Sequence, residues 1–320
     1  MKNGKILFIV NPISGTGKQN EIYKALEDSL DASKFTHDIV FTEYRGHATQ
    51  LSNQAQNIYS MVVAVGGDGT VNEVAKGLIG SNCCTLGIIP VGSGNGLARH
   101  LKLPMKVKDA IEIINQNKTQ FIDTATINGE HFVNVAGIGF DAHIAHLFAV
   151  AKKRGPIPYA KIATYEFQRY KPVNYEVFIE GQPYHLTAFL ISFANSAQFG
   201  NNAYISPHAI INDGLLDVCL MSEFPKVEAG QLAIKLFNKR LDKSRYMKII
   251  RATHINIKTC ENIKAHLDGE PVNFLKELEI KINPSSLNVI YNSNPTKLQA
   301  LSTKIKNSLP DSYKNIIDKN

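Results

Sequence analysis

Four cysteines in 320 residues, at positions 83, 84, 219 and 260, show no metal-ligand spacing, and the adjacent Cys83 and Cys84 are poorly placed to bridge each other. Zinc modules and disulfide scaffolds are thereby excluded, and all four read as packing thiols. No apolar run approaches the ~18 to 20 residues of a membrane-spanning helix. Met1-Lys2-Asn3-Gly4 leads straight into a strand-like run with no cleavable signal, so a cytosolic chain is expected. Two familiar nucleotide signatures are missing as well. Gly15-Thr16-Gly17-Lys18-Gln19 fails as a P-loop because Pro12 and Gln19 stand where Gly and Ser or Thr are required. Gly92-Ser93-Gly94-Asn95-Gly96 fails as a dinucleotide fingerprint because Leu97 replaces its third glycine. No aromatic-and-basic nucleic-acid module occurs, so no nucleic-acid partner is expected. The lone histidines, such as His100, His143 and His208, lack ligand spacing and read as surface or packing residues.

What is present is a chain long enough for two domains, each with its own core. Lys+Arg 35 against Asp+Glu 28 gives a net charge of +7 and a pI near 9.0, which suits an anionic partner without naming it. The chain is organised around Val62-Val63-Ala64-Val65-Gly66-Gly67-Asp68-Gly69-Thr70-Val71-Asn72-Glu73-Val74, an apolar strand running through a glycine turn into a helix. Glycines there bring backbone N–H groups close to an anion, and the helix N-terminus adds its partial positive charge. Asp68 is out of place in an anion cradle. It either handles a proton, metal ion or acceptor hydroxyl, as phosphoryl transfer requires, or caps the helix through Val71 and Asn72.

The first 120 residues alternate strand-like and helix-like segments. Lys5 to Val10, Thr36 to Thr42, Met61 to Val65 and Thr85 to Pro90 read as buried parallel strands, and Gln19 to Leu30, His47 to Tyr59, Val71 to Leu78 and Val107 to Asn117 as helices. This is α/β with a parallel sheet, whose ligands bind beyond the carboxyl ends of the strands. The loops at Asn11 to Gly15, Thr42 to His47, Gly66 to Thr70 and Gly92 to Asn95 all lie there. Beyond Gln120 the pattern becomes mainly antiparallel β, expected as a sandwich, with turns at Asn128-Gly129, Glu180-Gly181 and Asp213-Gly214. The expected division is 1–120 nucleotide-binding, 121–292 β-rich and lipid-binding, and 293–320 packing back on the first domain, with the active site in the cleft between domains.

The glycine turn and its continuation Val71-Asn72-Glu73-Val74 resemble the diacylglycerol kinase catalytic domain, shared by bacterial soluble lipid kinases and by sphingosine and ceramide kinases. NAD kinases share the turn itself. Asn11-Pro12-Ile13-Ser14-Gly15 resembles the first motif of that family, and Pro90-Val91-Gly92-Ser93-Gly94-Asn95-Gly96-Leu97-Ala98 its third. The resemblance implies ATP and Mg2+ as cofactors and a membrane lipid as acceptor. It puts Asn11, Thr42, Gly66, Gly67, Asp68, Gly69, Thr70, Asn72 and Ser93 along the nucleotide. It makes Glu270, in Asp268-Gly269-Glu270, the acceptor of the lipid hydroxyl proton, with Asp68 and Asp268 as the other catalytic carboxylates and their division of labour open. Asn212-Asp213-Gly214 resembles a segment that binds a structural magnesium in bacterial members, implying Asp213 with carbonyls of Ile210 and Leu215; an ordinary turn is the alternative.

Lys152-Lys153-Arg154, and Lys235, Lys239, Arg240, Lys243, Arg245, Lys248 and Arg251 around Leu232, Leu236 and Phe237, suit peripheral docking on an anionic membrane surface, or form a solvated face. Diacylglycerol or a similar glycerolipid is the expected acceptor. A sphingosine-type kinase, an NAD kinase-like enzyme and an inactive lipid-binding module are the alternatives, and a homodimer stays open. Selecting an amine-bearing lipid would require an extra buried carboxylate, for which Asp141 is the one candidate, unless it caps the helix that follows.

Overall fold

The computed structural model describes residues 4–14, 19–151 and 155–294. Its first part is built from β1 (Gly4–Val10), α1 (Gln19–Ser29), β2 (Phe35–Phe41), α2 (His47–Ala55), β3 (Met61–Gly66), α3 (Asp68–Leu78), β4 (Thr85–Pro90), α4 (Gly96–His100) and α5 (Val107–Gln116). The second continues as β5 (Thr119–Ile127), β6 (Glu130–Phe132), β7 (Val135–Gly139), α6 (Phe140–Ala149), α7 (Pro156–Phe167), β8 (Val173–Ile179) and β9 (Gln182–Ala194). It ends with β10 (Leu216–Ser222), α8 (Ala229–Phe237), β11 (Met247–Ala252), β12 (His254–Lys258), β13 (Ile263–Leu267), β14 (Glu270–Phe274) and β15 (Glu277–Ile290).

Strands β4, β3, β1 and β2 lie side by side in parallel, because Ile6 to Val10 and Met61 to Val65 are apolar throughout and can be buried on both faces. The helices cover those faces: α5 turns Ala110, Ile111, Ile113 and Ile114 inward, and α1 turns Ile22 and Leu26. Each of these Ile and Leu side chains contributes roughly 1.5 to 3 kcal/mol by leaving water. Seven of the remaining strands pair antiparallel in the order β14-β13-β7-β9-β8-β12-β15, with β10 joining β9 to β11 and β5 joining β15 to β6, around a second core that includes Phe132, Phe193, Val218 and Ile255. The hairpin turn at Asn128 and Gly129 has positive φ at both residues, 50° and 85°, which Asn and Gly tolerate.

The two halves share one sheet. β15 pairs antiparallel with β12 and β5, then meets β4 in parallel at Val289 opposite Leu86. Leu287, Val289 and Ile290 belong to the first core, so the return to the first domain happens within β15. β5 straddles the expected boundary, with Ile122 in the first core and Ala125 and Ile127 in the second. The expected packing of 293–320 falls mostly outside the described residues.

Several expectations need adjustment. The run His131 to Ala136 is broken into β6 and β7, because the N–H groups of Val133, Asn134 and Val135 turn to a side chain instead of a strand partner. The segments near 277 and 291 form one strand with an irregularity between Asn283 and Leu287. Only Cys84 and Cys219 are buried; Cys83 and Cys260 are exposed and are not packing thiols. No described helix is long and apolar enough to cross a membrane.

Candidate active site

The loops after β1, β2, β3 and β4 meet at one edge of the parallel sheet. Asn11 donates from Nδ2 to Thr70 Oγ1 at 3.1 Å and accepts the Ile13 N–H at 3.0 Å, which ties the first loop to the glycine turn. The Thr42 N–H donates to the Val10 carbonyl at 2.9 Å. α3 starts at Asp68, so Gly67, Asp68 and Gly69 form its opening, and its free N–H groups face the loops. Glu73, one turn further, accepts the Gly46 and Ala48 N–H groups at 2.9 and 3.2 Å and thereby caps α2. Gly67 and Gly92 have their backbones so close that a Cβ on Gly92 would collide with Gly67 Cα. Ser93, beside them, is exposed.

Asp68 does not reach into open space. Its Oδ2 accepts the Asn95 N–H at 2.8 Å and its Oδ1 the Gly96 N–H at 2.7 Å, so the carboxylate holds the start of α4. A Cβ on Gly94 would come within 2.5 Å of Asp68 Oδ2, which accounts for glycine there. Desolvation raises the Asp68 pKa above the ordinary carboxylate value, opposed by those two N–H groups and reinforced by the charge of Asp268.

The opposing wall comes from the turn between β13 and β14. Asp268 takes a left-handed backbone, φ 53°, and its carboxylate is fully engaged. Oδ1 accepts the N–H groups of Asn134 at 2.8 Å and Val135 at 3.0 Å; Oδ2 accepts Val133 N–H at 2.9 Å and Asn72 Nδ2 at 2.5 Å. Desolvation is the largest influence on its pKa and raises it, against these donors. Asn72, 3% exposed, thus ties α3 to the turn of the second domain.

Glu270 is different. Its side chain is 46% exposed, its Oε1 would lie 3.3 Å from a Cβ placed on Gly69, and its Oε2 accepts Arg45 Nη2 at 2.9 Å. Of the three expected catalytic carboxylates it alone combines an open face with a position against the glycine turn. Arg45 and Glu73 escaped the sequence reading; the hint lay in the Thr42 to His47 loop, where only Thr42 was singled out.

Asp213 stands apart from this cleft. Its Oδ1 accepts the Leu215 N–H at 3.1 Å and its Oδ2 lies against the Arg251 guanidinium, while Ile210 is 52% exposed. Asp213 Oδ2 is buried with no hydrogen-bond donor among the described residues and has the Arg251 guanidinium as its cationic neighbour, so this carboxylate is balanced by a cation, which the expected magnesium set of Asp213 with the Ile210 and Leu215 carbonyls would also supply. Among the described residues no three His, Cys, Asp or Glu side chains converge to hold a metal ion.

A parallel sheet with glycine turns at its carboxyl edge, faced by a carboxylate from an antiparallel domain, defines a two-domain phosphotransferase fold. Family comparison agrees: residues 5–127 match the diacylglycerol kinase catalytic domain, and residues 134–291 the YegS C-terminal NAD kinase beta sandwich-like domain. The chain belongs to the diacylglycerol kinase catalytic-domain family. It is 27% identical to a Bacillus subtilis protein named diacylglycerol kinase, over 84% of this chain and 90% of that one. It is 29% identical to a Yersinia pestis protein named for the YegS-like lipid kinases, over 83% and 90%. A crystal structure of a Bacillus anthracis protein named for the diacylglycerol kinases superposes with TM-score 0.75 at 25% identity, covering 92% of this chain and 99% of that one. The fold alone is shared with an ATP-bound NAD kinase from Archaeoglobus fulgidus, at TM-score 0.52 and 14% identity over 93% and 98% of the two chains.

Proposed function

We propose that the protein is an ATP-dependent lipid kinase that transfers the γ-phosphate to the primary hydroxyl of diacylglycerol or a similar neutral glycerolipid. The observation that carries the reading is the position of Glu270, an exposed carboxylate from one domain set against Gly69 in the phosphate turn of the other. Glu270 accepts the proton of the lipid hydroxyl as its oxygen attacks the γ-phosphorus, the bond to the β-phosphate oxygen breaks, and ADP leaves. Asp68 and Asp268 hold the two walls, one fixing α4 and the other joining α3 to β7. Magnesium enters this reading with the nucleotide, as the counter-ion that neutralises its phosphates.

A neutral acceptor is favoured because Asp141 has no free oxygen for an amine. Oδ1 accepts the Ala142 N–H at 2.8 Å, while Oδ2 accepts Ser192 Oγ at 2.8 Å and lies 3.3 Å from His266 Nε2. Substrate would be met at a membrane surface. Val227, Ile234 and Phe237, on and beside α8, are 90%, 62% and 55% exposed, and Lys235, Arg240 and Lys243 nearby form no salt bridge among the described residues. This narrows the expected cluster, since Leu232 is buried and Arg245 and Arg251 are paired with Glu228 and Asp213. The Lys152 to Arg154 group lies outside the described residues.

The test offers ATP with diacylglycerol, sphingosine or NAD in mixed micelles and identifies the phosphorylated product. Phosphorylated diacylglycerol supports the reading. Phosphorylated sphingosine alone, or NADP, replaces it.

A further inference from the structure

Behind the Asp268-Gly269-Glu270 turn lies a buried polar chain that the transfer step does not use. His266, 4% exposed, sits at the end of β13 and pairs with Gly137 of β7. The Gly269 N–H, inside the turn that carries Glu270, points to His266 Nδ1 at 3.3 Å. Nδ1 must therefore be the acceptor, which leaves the ring proton on Nε2. Nε2 faces Asp141 Oδ2 at 3.3 Å, where a proton is the matching partner. Asp141 is itself immobilised, by Ser192 from β9 and by the Ala142 N–H in the first turn of α6.

Two further contacts fix the ring. Phe199 meets it edge to face with centroids 6.2 Å apart. Gly137 leaves the room in which His266 and Asp141 meet, since a Cβ there would collide with Asp141 Oδ2 and lie 3.0 Å from His266 Nε2. The chain thus runs from β9 and α6, through Asp141 and His266, to the backbone of the turn ahead of Glu270.

We propose that His266 is a positioning residue for Glu270, with Asp141 as its anchor. This rests on the lipid kinase reading for its kinetic arm only. Asp141 holds the Nε2–H tautomer, so Nδ1 is kept as the acceptor for the Gly269 N–H. That bond sets the direction in which the turn delivers the Glu270 carboxylate to the phosphate loop. Because the half-exposed Glu270 side chain has a single partner among the described residues, Arg45, the turn backbone carries much of its orientation. A displacement of about 1 Å can cost on the order of 100-fold in rate.

The experiment combines two readouts on the full-length protein. In 15N-histidine-labelled wild type near neutral pH, His266 Nδ1 is expected in the unprotonated range and Nε2 in the protonated range. The opposite tautomer overturns the proposal whatever the enzyme phosphorylates. In kinetics, His266→Asn keeps an amide oxygen near the Nδ1 position and is expected to hold kcat within about 3-fold of wild type. His266→Gln places its amide near the Nε2 position and is expected to lower kcat on the order of 10-fold or more, with KM for ATP unchanged in both. Equal losses in the two variants that follow their loss of melting temperature, or no loss in either, overturn the proposal. If wild type phosphorylates no lipid, the functional reading fails while the tautomer readout still decides this one.

Discussion

Arg45, in the loop after β2, reaches across the cleft to Glu270, with Nη2 2.9 Å from Oε2. The pair joins the glycine-turn side of the cleft to the β13–β14 turn through two exposed groups, at 75% and 46%. An exposed ion pair contributes at most ~1 kcal/mol to stability. A guanidinium freed onto a phosphate contributes more to binding, about 1.5 to 3 kcal/mol for a charged hydrogen bond. Arg45→Ala is therefore expected to raise KM for ATP on the order of 10-fold while moving Tm by no more than a few degrees. Steady-state kinetics and a thermal melt check both parts; an unchanged KM would leave Arg45 as a surface partner only.

Asp268 and Glu270 sit two residues apart yet should respond in opposite ways. Asp268→Ala removes the acceptor of three backbone N–H groups and of Asn72, and is expected to destabilise by on the order of 3 kcal/mol or more. Glu270→Gln is expected to keep the fold and lose the reaction. Melting curves and circular dichroism of the two variants distinguish them, and a thermally normal Asp268→Ala would contradict the scaffold role.

Much of the architecture was visible in the sequence because it rests on local pattern. The apolar strands Ile6 to Val10 and Met61 to Val65 and the inward-facing Ile111 and Ile114 follow from burial on both faces of a sheet or on one face of a helix. The three motifs likewise announced loops that the fold gathers at one edge of the parallel sheet. Harder to see was what each polar side chain does, because that depends on partners distant in sequence. Asn72 lies in the glycine-turn motif but bonds Asp268, 196 residues away, and Asp141 meets His266, 125 residues away. α7 was missed because its Pro156-Ile157-Pro158 start reads as a breaker, although proline is tolerated in a first helical turn.

His100 supplies a pH dependence. It follows the third motif on α4, its Nδ1 accepts the Ala197 N–H at 3.1 Å, and burial lowers its pKa to about 4. A histidine whose folded pKa lies below its unfolded value of about 6.5 stabilises the fold above that value. The contribution, at most about 3 kcal/mol, is lost as pH falls from about 6.5 toward 4. In His100→Asn, which does not titrate, the melting temperature should fall less steeply over that interval than in wild type. Parallel slopes would remove His100 from the acid response.

If α8 meets a membrane, activity on vesicles should rise with the fraction of anionic lipid and fall with salt, since surface attraction decays over about 8 to 10 Å at physiological ionic strength. Ile234→Ser with Phe237→Ser should weaken vesicle sedimentation several-fold and leave activity on detergent-dispersed lipid intact, because both side chains are mostly exposed. Activity indifferent to anionic lipid and salt would make this face a solvated one.

The most direct test of the central claim is transfer of labelled γ-phosphate from ATP to diacylglycerol in mixed micelles, by wild type and by Glu270→Gln. The geometry predicts labelled lipid phosphate from wild type and a loss on the order of 100-fold or more in the variant at unchanged melting temperature. Full activity in Glu270→Gln, or no labelled lipid from wild type, would contradict the assignment.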